Sequence, residues 1–291
     1  MAKTKGHFRV GLVQLRTGKD IEDNLFQAEA FIREAARKGA RYIQTPENTN
    51  VMEVDAPRLL KKIETEEATE AVGAFSRLAR ELGIWLHIGS LAIKVEEGRA
   101  ANRALLFAPN GELILRYDKI HMFDVNLPSG ESYRESATFV PGMSAFLAHL
   151  PWGGLGVATC YDMRFPEQYK ALAQAGAKFL TAPSAFTKVT GEAHWHVLLR
   201  ARAIENGCFV FAAAQGGRHA SGRTTYGHSI VISPWGDILA EAGTEPGVII
   251  ADIDGTEVDR VRARIPALDH TRDFKVHVVP LPKLASLEAA E

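Results

Sequence analysis

Cysteine is scarce in this chain: two thiols, Cys160 and Cys208, among 291 residues. Two cannot make the disulfide framework of a small secreted domain, so stability must come from an apolar core and a thiol can stay free. A dominant charge is also missing, with Lys+Arg at 34 against Asp+Glu at 35 and a formal net charge of -1. That balance gives no field to draw nucleic acid or an anionic membrane, which leaves small molecules and other proteins as partners. No apolar run approaches the roughly 18–20 residues that span a bilayer. The stretch Met1 to Val10 has early positive charge without an apolar centre or small-residue cleavage site. No secretory signal is therefore expected, and a reducing cytoplasm is the expected location. No spacing resembles H-E-x-x-H, paired C-x-x-C, a P-loop or a G-x-G-x-x-G opening a helix, so neither metal nor nucleotide is expected.

What the chain does have is alternation. Phe8 to Leu15 is a short apolar run, and Leu25, Ala28, Phe31, Ile32, Ala35 and Ala36 then recur at helical spacing over 24–37. Arg41 to Thr45 and Ile84 to Gly89 read as strands, with an amphipathic helix over 66–82 between them. Such alternation argues an α/β architecture with a buried sheet.

The second half repeats this grammar. Gly39-Ala-Arg-Tyr-Ile-Gln-Thr-Pro46 matches Gly176-Ala-Lys-Phe-Leu-Thr-Ala-Pro183, and Ala79-Arg-Glu-Leu-Gly83 matches Ala203-Ile-Glu-Asn-Gly207. The turn Pro109-Asn-Gly-Glu-Leu-Ile114 matches Pro234-Trp-Gly-Asp-Ile-Leu239, and less sharply Val10 to Leu15 matches Leu155 to Cys160. Four matches in one order predict two β-α-β-α-β-β halves, about 8–120 and 154–255, without a Pro/Gly/Ser linker between them. The expectation is one compact domain over 1–291 with internal pseudo-symmetry. Residues after about 265, with Pro266, Pro280 and Pro282, read as a tail that could pack on a partner subunit.

The halves differ at their strand ends, where α/β sheets usually place ligands. Half one has Pro46-Glu47-Asn48 where half two has Pro183-Ser184-Ala185, and Gln14-Leu15 where half two has Cys160-Tyr161-Asp162. Only half one has Tyr117-Asp118-Lys119-Ile120-His121 after its hairpin. Cys160 sits between an apolar run and a helix start at Pro166-Glu167, a turn that would hold the thiol beside backbone N–H groups able to stabilise an oxyanion. Cys208 opens the apolar run Cys-Phe-Val-Phe-Ala-Ala-Ala and reads as core. Glu47 follows an apolar strand, and an acid brought inward there needs a partner. With Lys119 the three make a coherent set: an acid to move protons, a cation to stabilise thiolate and oxyanion, and a nucleophile.

A Cys–His pair is the rival arrangement, with His121, His194, His196 and His219 available. In His194-Trp-His196 the two imidazoles do not share a helix face, so these histidines read as local hydrogen bonders. Arg200-Ala-Arg202, in a helix over 193–206, reads as ion pairing. No resolving thiol stands beside Cys160 in sequence, which counts against a redox sensor.

Pro46-Glu47-Asn48, Tyr117-Asp118-Lys119-Ile-His121-Met-Phe-Asp124-Val and Cys160-Tyr-Asp-Met-Arg-Phe-Pro-Glu167 resemble the three signature blocks of the nitrilase superfamily, the carbon–nitrogen hydrolases. The resemblance covers nearly the whole chain and is strongest to the Nit amidases. Pro183-Ser-Ala-Phe186, Thr190-Gly-Glu-Ala-His-Trp195 and Leu199-Arg-Ala-Arg-Ala-Ile-Glu205 support it. One departure is Glu192, where that pattern commonly has proline.

The resemblance implies a four-layer α-β-β-α sandwich that pairs through its helical face into a homodimer or higher homo-oligomer. It implies a catalytic Glu–Lys–Cys set on Glu47, Lys119 and Cys160 and an oxyanion contact from the Tyr161 backbone. It also implies a second active-site glutamate at Glu135, with Glu131 as the alternative, and no cofactor or metal. The implied reaction is hydrolysis of a small carboxamide to carboxylate and ammonia through a cysteine thioester. Ala212-Ala-Ala-Gln-Gly-Gly-Arg-His219 looks more like the branch acting on deaminated glutathione than the ω-amidase branch acting on 2-oxoglutaramate. Such substrates carry carboxylates, for which Arg164 and Arg218 are candidate partners, with Phe186 as a further substrate contact. Nitrilase or N-carbamoyl hydrolase chemistry on the same trio is the alternative activity, and a catalytically idle interaction scaffold the alternative class.

Overall fold

A computed structural model of the protein describes residues 6–128 and 130–280. Its apolar runs form two six-stranded sheets. In the first, His7–Gln14, Tyr42–Gln44 and Trp85–Glu96 lie parallel, and Arg99–Phe107 and Leu113–Asp118 continue antiparallel. In the second, Gly153–Val157, Ala177–Thr181 and Phe209–Ala212 lie parallel, then Ile230–Ile232 and Ile238–Glu241 antiparallel. Each half thus carries the expected β-α-β-α-β-β run and one further strand.

Side chains alternate across a strand, so each sheet has two faces to bury. Val10, Leu12, Tyr42, Leu106 and Tyr117 of the first sheet meet Leu155, Val157, Phe179 and Phe211 of the second in one core between the sheets. On the opposite face Val13, Ile43 and Ile88 pack on Ala28, Ile32 and Ala35 of helix Ile21–Arg37 and on Phe75 and Leu78 of helix Glu70–Leu82. Leu180 and Val210 likewise pack on Leu172 of helix Pro166–Gln174 and on Trp195 and Leu199 of helix Lys188–Asn206. The layers run α-β-β-α. Each such Leu, Ile or Phe fully removed from water contributes roughly 1.5–3 kcal/mol.

The matched helices end the same way. Gly83 (φ 62°) and Gly207 (φ 54°) take the left-handed conformation that closes a helix, and their N–H groups return to Ala79 and Arg80, and to Ala203 and Ile204. Two helix starts differ from expectation. Thr69 stands at the N-cap, so the helix expected from 66 begins at Glu70. The Thr187 hydroxyl accepts from Thr190 N at 3.4 Å, so the helix expected from 193 begins at Lys188.

Strand Gly247–Asp254 departs from the expected division of the chain. It falls within the second repeat yet pairs antiparallel with His7–Gln14 along its whole length, from His7 with Asp254 to Gln14 with Gly247. Its counterpart is Phe146–Leu150, which pairs with Gly153–Val157 at the same place in the second sheet. After Arg264, where the last described helix ends, the chain runs over the surface to Pro280 with Phe274 and Val278 exposed. Pro282 lies outside the described residues.

Candidate active site

Cys160 stands where a parallel strand of the second sheet gives way to a helix. The strand ends at Val157, and Cys160–Arg164 forms a single 3-10 turn before helix Pro166–Gln174. Cys160 takes φ 50°, a left-handed conformation that costs a side-chain-bearing residue roughly 1–2 kcal/mol. Asp162 offsets that cost. Fully buried, its carboxylate accepts from Thr159 N at 2.9 Å, Tyr117 Oη at 2.5 Å and His121 N at 3.0 Å. Cys160 N donates to Pro183 O at 3.0 Å. The Tyr161 N–H belongs to the open first turn, where no intrahelical acceptor exists.

Glu47 arrives from the first sheet. Its turn rests on an irregularity in strand Trp85–Glu96, where the antiparallel register shifts between Ile88 and Leu91. There Ser90 Oγ accepts from Asn48 N at 2.9 Å and Ser90 N donates to Pro46 O at 3.3 Å. Gly89 lets the turn lie this close, since a Cβ on it would sit 2.2 Å from Thr45 O and 2.5 Å from Pro183 Cβ. The Glu47 carboxylate is then held from three sides. Oε1 accepts from Lys119 Nζ at 3.0 Å and Asn102 Nδ2 at 2.9 Å, and Oε2 accepts from Ala185 N at 2.8 Å. Ala185 is the second half's match for Asn48, so each repeat helps to fix the acid.

Lys119 closes the set. Its ammonium is 3.0 Å from Glu47 Oε1 and 2.7 Å from Glu135 Oε2, with only 1% of the side chain exposed. Glu135 also accepts from Phe123 N at 2.7 Å and Asn102 Nδ2 at 3.0 Å. Glu131, the alternative, is exposed and accepts from Tyr133 Oη. Asn102 was not anticipated. Its signal was a lone amide among apolar residues in Arg99–Phe107, and it bridges both acids.

Burial of two acids, a lysine and a thiol is tolerated here because the charges meet. Burial works to raise the Glu47 carboxyl, but Lys119 and the hydrogen bonds around it hold it below its ordinary value. Burial works to lower Lys119, and Glu135 and Glu47 together push it well above its ordinary value. The Cys160 thiol is raised far up, first by burial and then by the facing Glu47 carboxylate, with Lys119 opposing. The resting pair is therefore a thiol beside a carboxylate, as a base that takes the thiol proton requires.

These groups line a cavity of about 280 Å³ with Tyr161, Phe186 and Arg223. Of the two arginines predicted for substrate, neither is in its lining. Arg164 lies beside the Tyr161 and Phe186 rings and near His194 Nδ1 at 3.2 Å, and Arg218 is exposed on the hairpin of Gly216–Arg218 and Thr224–Tyr226. Glu192 is exposed too, 3.8 Å from Lys188. The histidines bond locally: His121 to Asp162, His194 to Arg164, His196 to Glu241, and His219 to Thr17 O and Thr225 Oγ1. Cys208 is core, its Sγ 3.2 Å from Ala177 O.

Residues 9–263 match the family model described as Carbon-nitrogen hydrolase. The chain belongs to the carbon–nitrogen hydrolase family, the nitrilase superfamily. It is 41% identical over 262 residues to a deaminated glutathione amidase of Synechocystis, covering 89% of this chain and 96% of that protein. It is 36% identical over 267 residues to the human omega-amidase NIT2, covering 91% and 95%. A solved structure of an amidase from Nesterenkonia sp. AN1 superposes with a TM-score of 0.78 at 26% identity, covering 94% of this chain and 96% of that one. That structure shows the acetamide moiety of fluoroacetamide added covalently at its active-site cysteine. The buried Glu, Lys and Cys of this carbon–nitrogen hydrolase make a cysteine-dependent amidase site, and its chemistry is hydrolysis of a small carboxamide. No helix among the described residues is long and apolar enough to cross a membrane.

Proposed function

We propose that Glu47 is the proton carrier, Cys160 the nucleophile and Lys119 the oxyanion partner of this amidase. The observation that carries the reading is a Glu47 carboxylate held by Lys119, Asn102 and Ala185 N while facing a protonated thiol. Glu47 takes the thiol proton as Cys160 Sγ attacks the amide carbon. Lys119 Nζ and the Tyr161 N–H receive the tetrahedral oxyanion. Glu47 then protonates the departing nitrogen, leaving a thioester, and serves again as base for the water that hydrolyses it. Glu135 positions Lys119 and substrate.

For the acyl group we favour deaminated glutathione or a related 2-oxo acid amide. The 41% relative bears that activity in its name, and the stretch from Ala212 to His219 supports the same branch. A primary amide would release ammonia. Deaminated glutathione, whose amide nitrogen carries the rest of the peptide, would release an amine. The proposal extends to one catalytic domain over 1–291 in the cytoplasm, working as a homodimer or higher homo-oligomer. Val197 and Ile204 on helix Lys188–Asn206, 69% and 53% exposed, support pairing through that face.

Intact-protein mass after brief exposure to candidate amides tests the chemistry: an acyl adduct is expected on Cys160. Wild-type turnover by the C160A variant would sink the scheme. Parallel assays with deaminated glutathione and 2-oxoglutaramate test the acyl group, and preference for the second would overturn the branch assignment.

A further inference from the structure

The cavity wall contains a cation that no carboxylate among the described residues neutralises by contact. Glu47 and Glu135 close on Lys119, and Glu53 closes on Lys62 at 3.3 Å. Among the described residues no carboxylate lies within 4.0 Å of Arg223, although its guanidinium lines the same space. Arg134, also in the wall, directs its guanidinium to Val125 O, Tyr133 O and Asn126 Oδ1.

Arg223 is held firmly in place. Its Nη2 donates to Ala185 O at 2.5 Å, its Cζ stands 5.2 Å from the centre of the Tyr133 ring, and its Nη1 is 3.9 Å from Met52 Sδ. The strand that follows is pinned beside it by Tyr226 N donating to Phe186 O at 2.9 Å and by a bridge between Thr187 and Thr225. Yet Arg223 Nε is buried without a hydrogen-bond partner. That N–H is closed off from the cavity, but the guanidinium as a whole is held only by a carbonyl oxygen, a thioether and a ring face, so its charge suits an anion that no described carboxylate supplies.

The same residue, Ala185, gives its N–H to Glu47 and its carbonyl to Arg223. Standard backbone dimensions therefore put the guanidinium at most about 9 Å from the Glu47 carboxylate. We propose that Arg223 is the subsite for a carboxylate at the far end of the substrate's acyl chain, bound through its remaining Nη hydrogens. The substrate class is then an amide whose acyl chain ends in a carboxylate and is short enough for a span of at most about 9 Å. This rests on the amidase reading above. It moves the carboxylate contact away from Arg164 and Arg218.

The test compares glutaramate (5-amino-5-oxopentanoate) with neutral butyramide as substrates. Wild type is expected to favour glutaramate, and R223Q to reduce that selectivity by about 10- to 100-fold, chiefly through KM, as loss of a charge-assisted hydrogen bond implies. An unchanged ratio in R223Q, or the same collapse in R164Q in its place, overturns the assignment. Should R223Q not fold, R223K supplies the reading: its point charge lacks the planar fork, so selectivity drops several-fold, and an unchanged ratio again overturns the proposal. Calorimetry with glutarate on C160A and on C160A/R223Q separates the subsite from the catalysis. Tenfold or greater weakening by the second substitution supports the subsite even if no amide turns over, and equal affinity rejects it.

Discussion

Pro46-Glu47-Asn48 and Pro183-Ser184-Ala185 end matched strands of the two sheets, and both prolines pack around Gly89. The first segment brings an acid to the centre. The second brings a small side chain whose neighbouring N–H holds that acid. Between the sheets the contrast recurs. Tyr42, Gln44 and His87 occupy the positions that Phe179, Thr181 and Phe211 hold in the second half, as the pairing of Gln44 with His87 and of Thr181 with Phe211 shows. One half carries polar groups to its strand ends and the other carries the thiol and the apolar wall. A duplicated backbone makes an asymmetric site because matched positions hold side chains of opposite character.

Removing the asymmetry should have the largest effect. E47S gives the first half the second half's residue, and together with C160A it is expected to lower kcat/KM by at least about 10³-fold, measured by product release. E47S also leaves Lys119 with Glu135 alone, so a thermal melt should show the protein still folded. Retention of more than a tenth of the activity in E47S would remove Glu47 from proton transfer.

G89A gives the first half the alanine found at the matched Ala213. Its Cβ cannot fit against Thr45 O, so the Glu47 turn must shift. The expected cost is roughly 1–3 kcal/mol in urea unfolding, with a fall in kcat larger than in KM. Wild-type kcat and stability would show that the close approach is not needed.

H87F copies Phe211 into the first half. Burial holds His87 at about 3 and, as the first cause, His219 at about 4, both below the usual histidine range. The unfolded chain therefore binds protons that the folded chain refuses. Stability is complete above about pH 6.5 and is lost as pH falls toward those values, by about 2 kcal/mol from each histidine at pH 5. H87F should unfold at lower urea than wild type at pH 7, because Tyr42 Oη and Gln44 Nε2 lose their partner, but its stability should change less between pH 7 and 5. An unchanged pH slope would refute the neutral buried imidazole.

The smallest effect is expected from the other thiol. C208A should cost about 1 kcal/mol and leave amide hydrolysis at the wild-type rate, since Cys208 only fills core near Arg262 and Ala177.

Much of this was legible in the chain. The matched runs gave the repeat, and the strand-end differences placed Glu47 and Cys160 where they stand. Asn102 escaped notice because its strand is flanked by Arg99 and Arg103 and reads as half-exposed, while in the fold it is 2% exposed. Arg218 and Arg223 lie five residues apart on one hairpin. Which of them enters the cavity depends on the turn closed by His219 N to Arg223 O and Gly222 N to His219 O, and not on composition. That Gly247–Asp254, inside the second repeat's span, pairs with His7–Gln14 was not legible, because period-two patterning reveals faces but not partners.

That strand also sets a schedule for synthesis. His7–Gln14 leaves the ribosome long before its partner, and its outer edge is covered only by residues made near the end of the described chain. Until then the nascent first sheet shows an open ladder of backbone donors and acceptors, the kind of surface that recruits neighbouring chains. A nonsense codon or ribosome stall after Leu150 would therefore release a fragment with a sticky edge and an uncovered apolar sheet face. Such a product is expected to aggregate or be degraded, not to persist as half an enzyme.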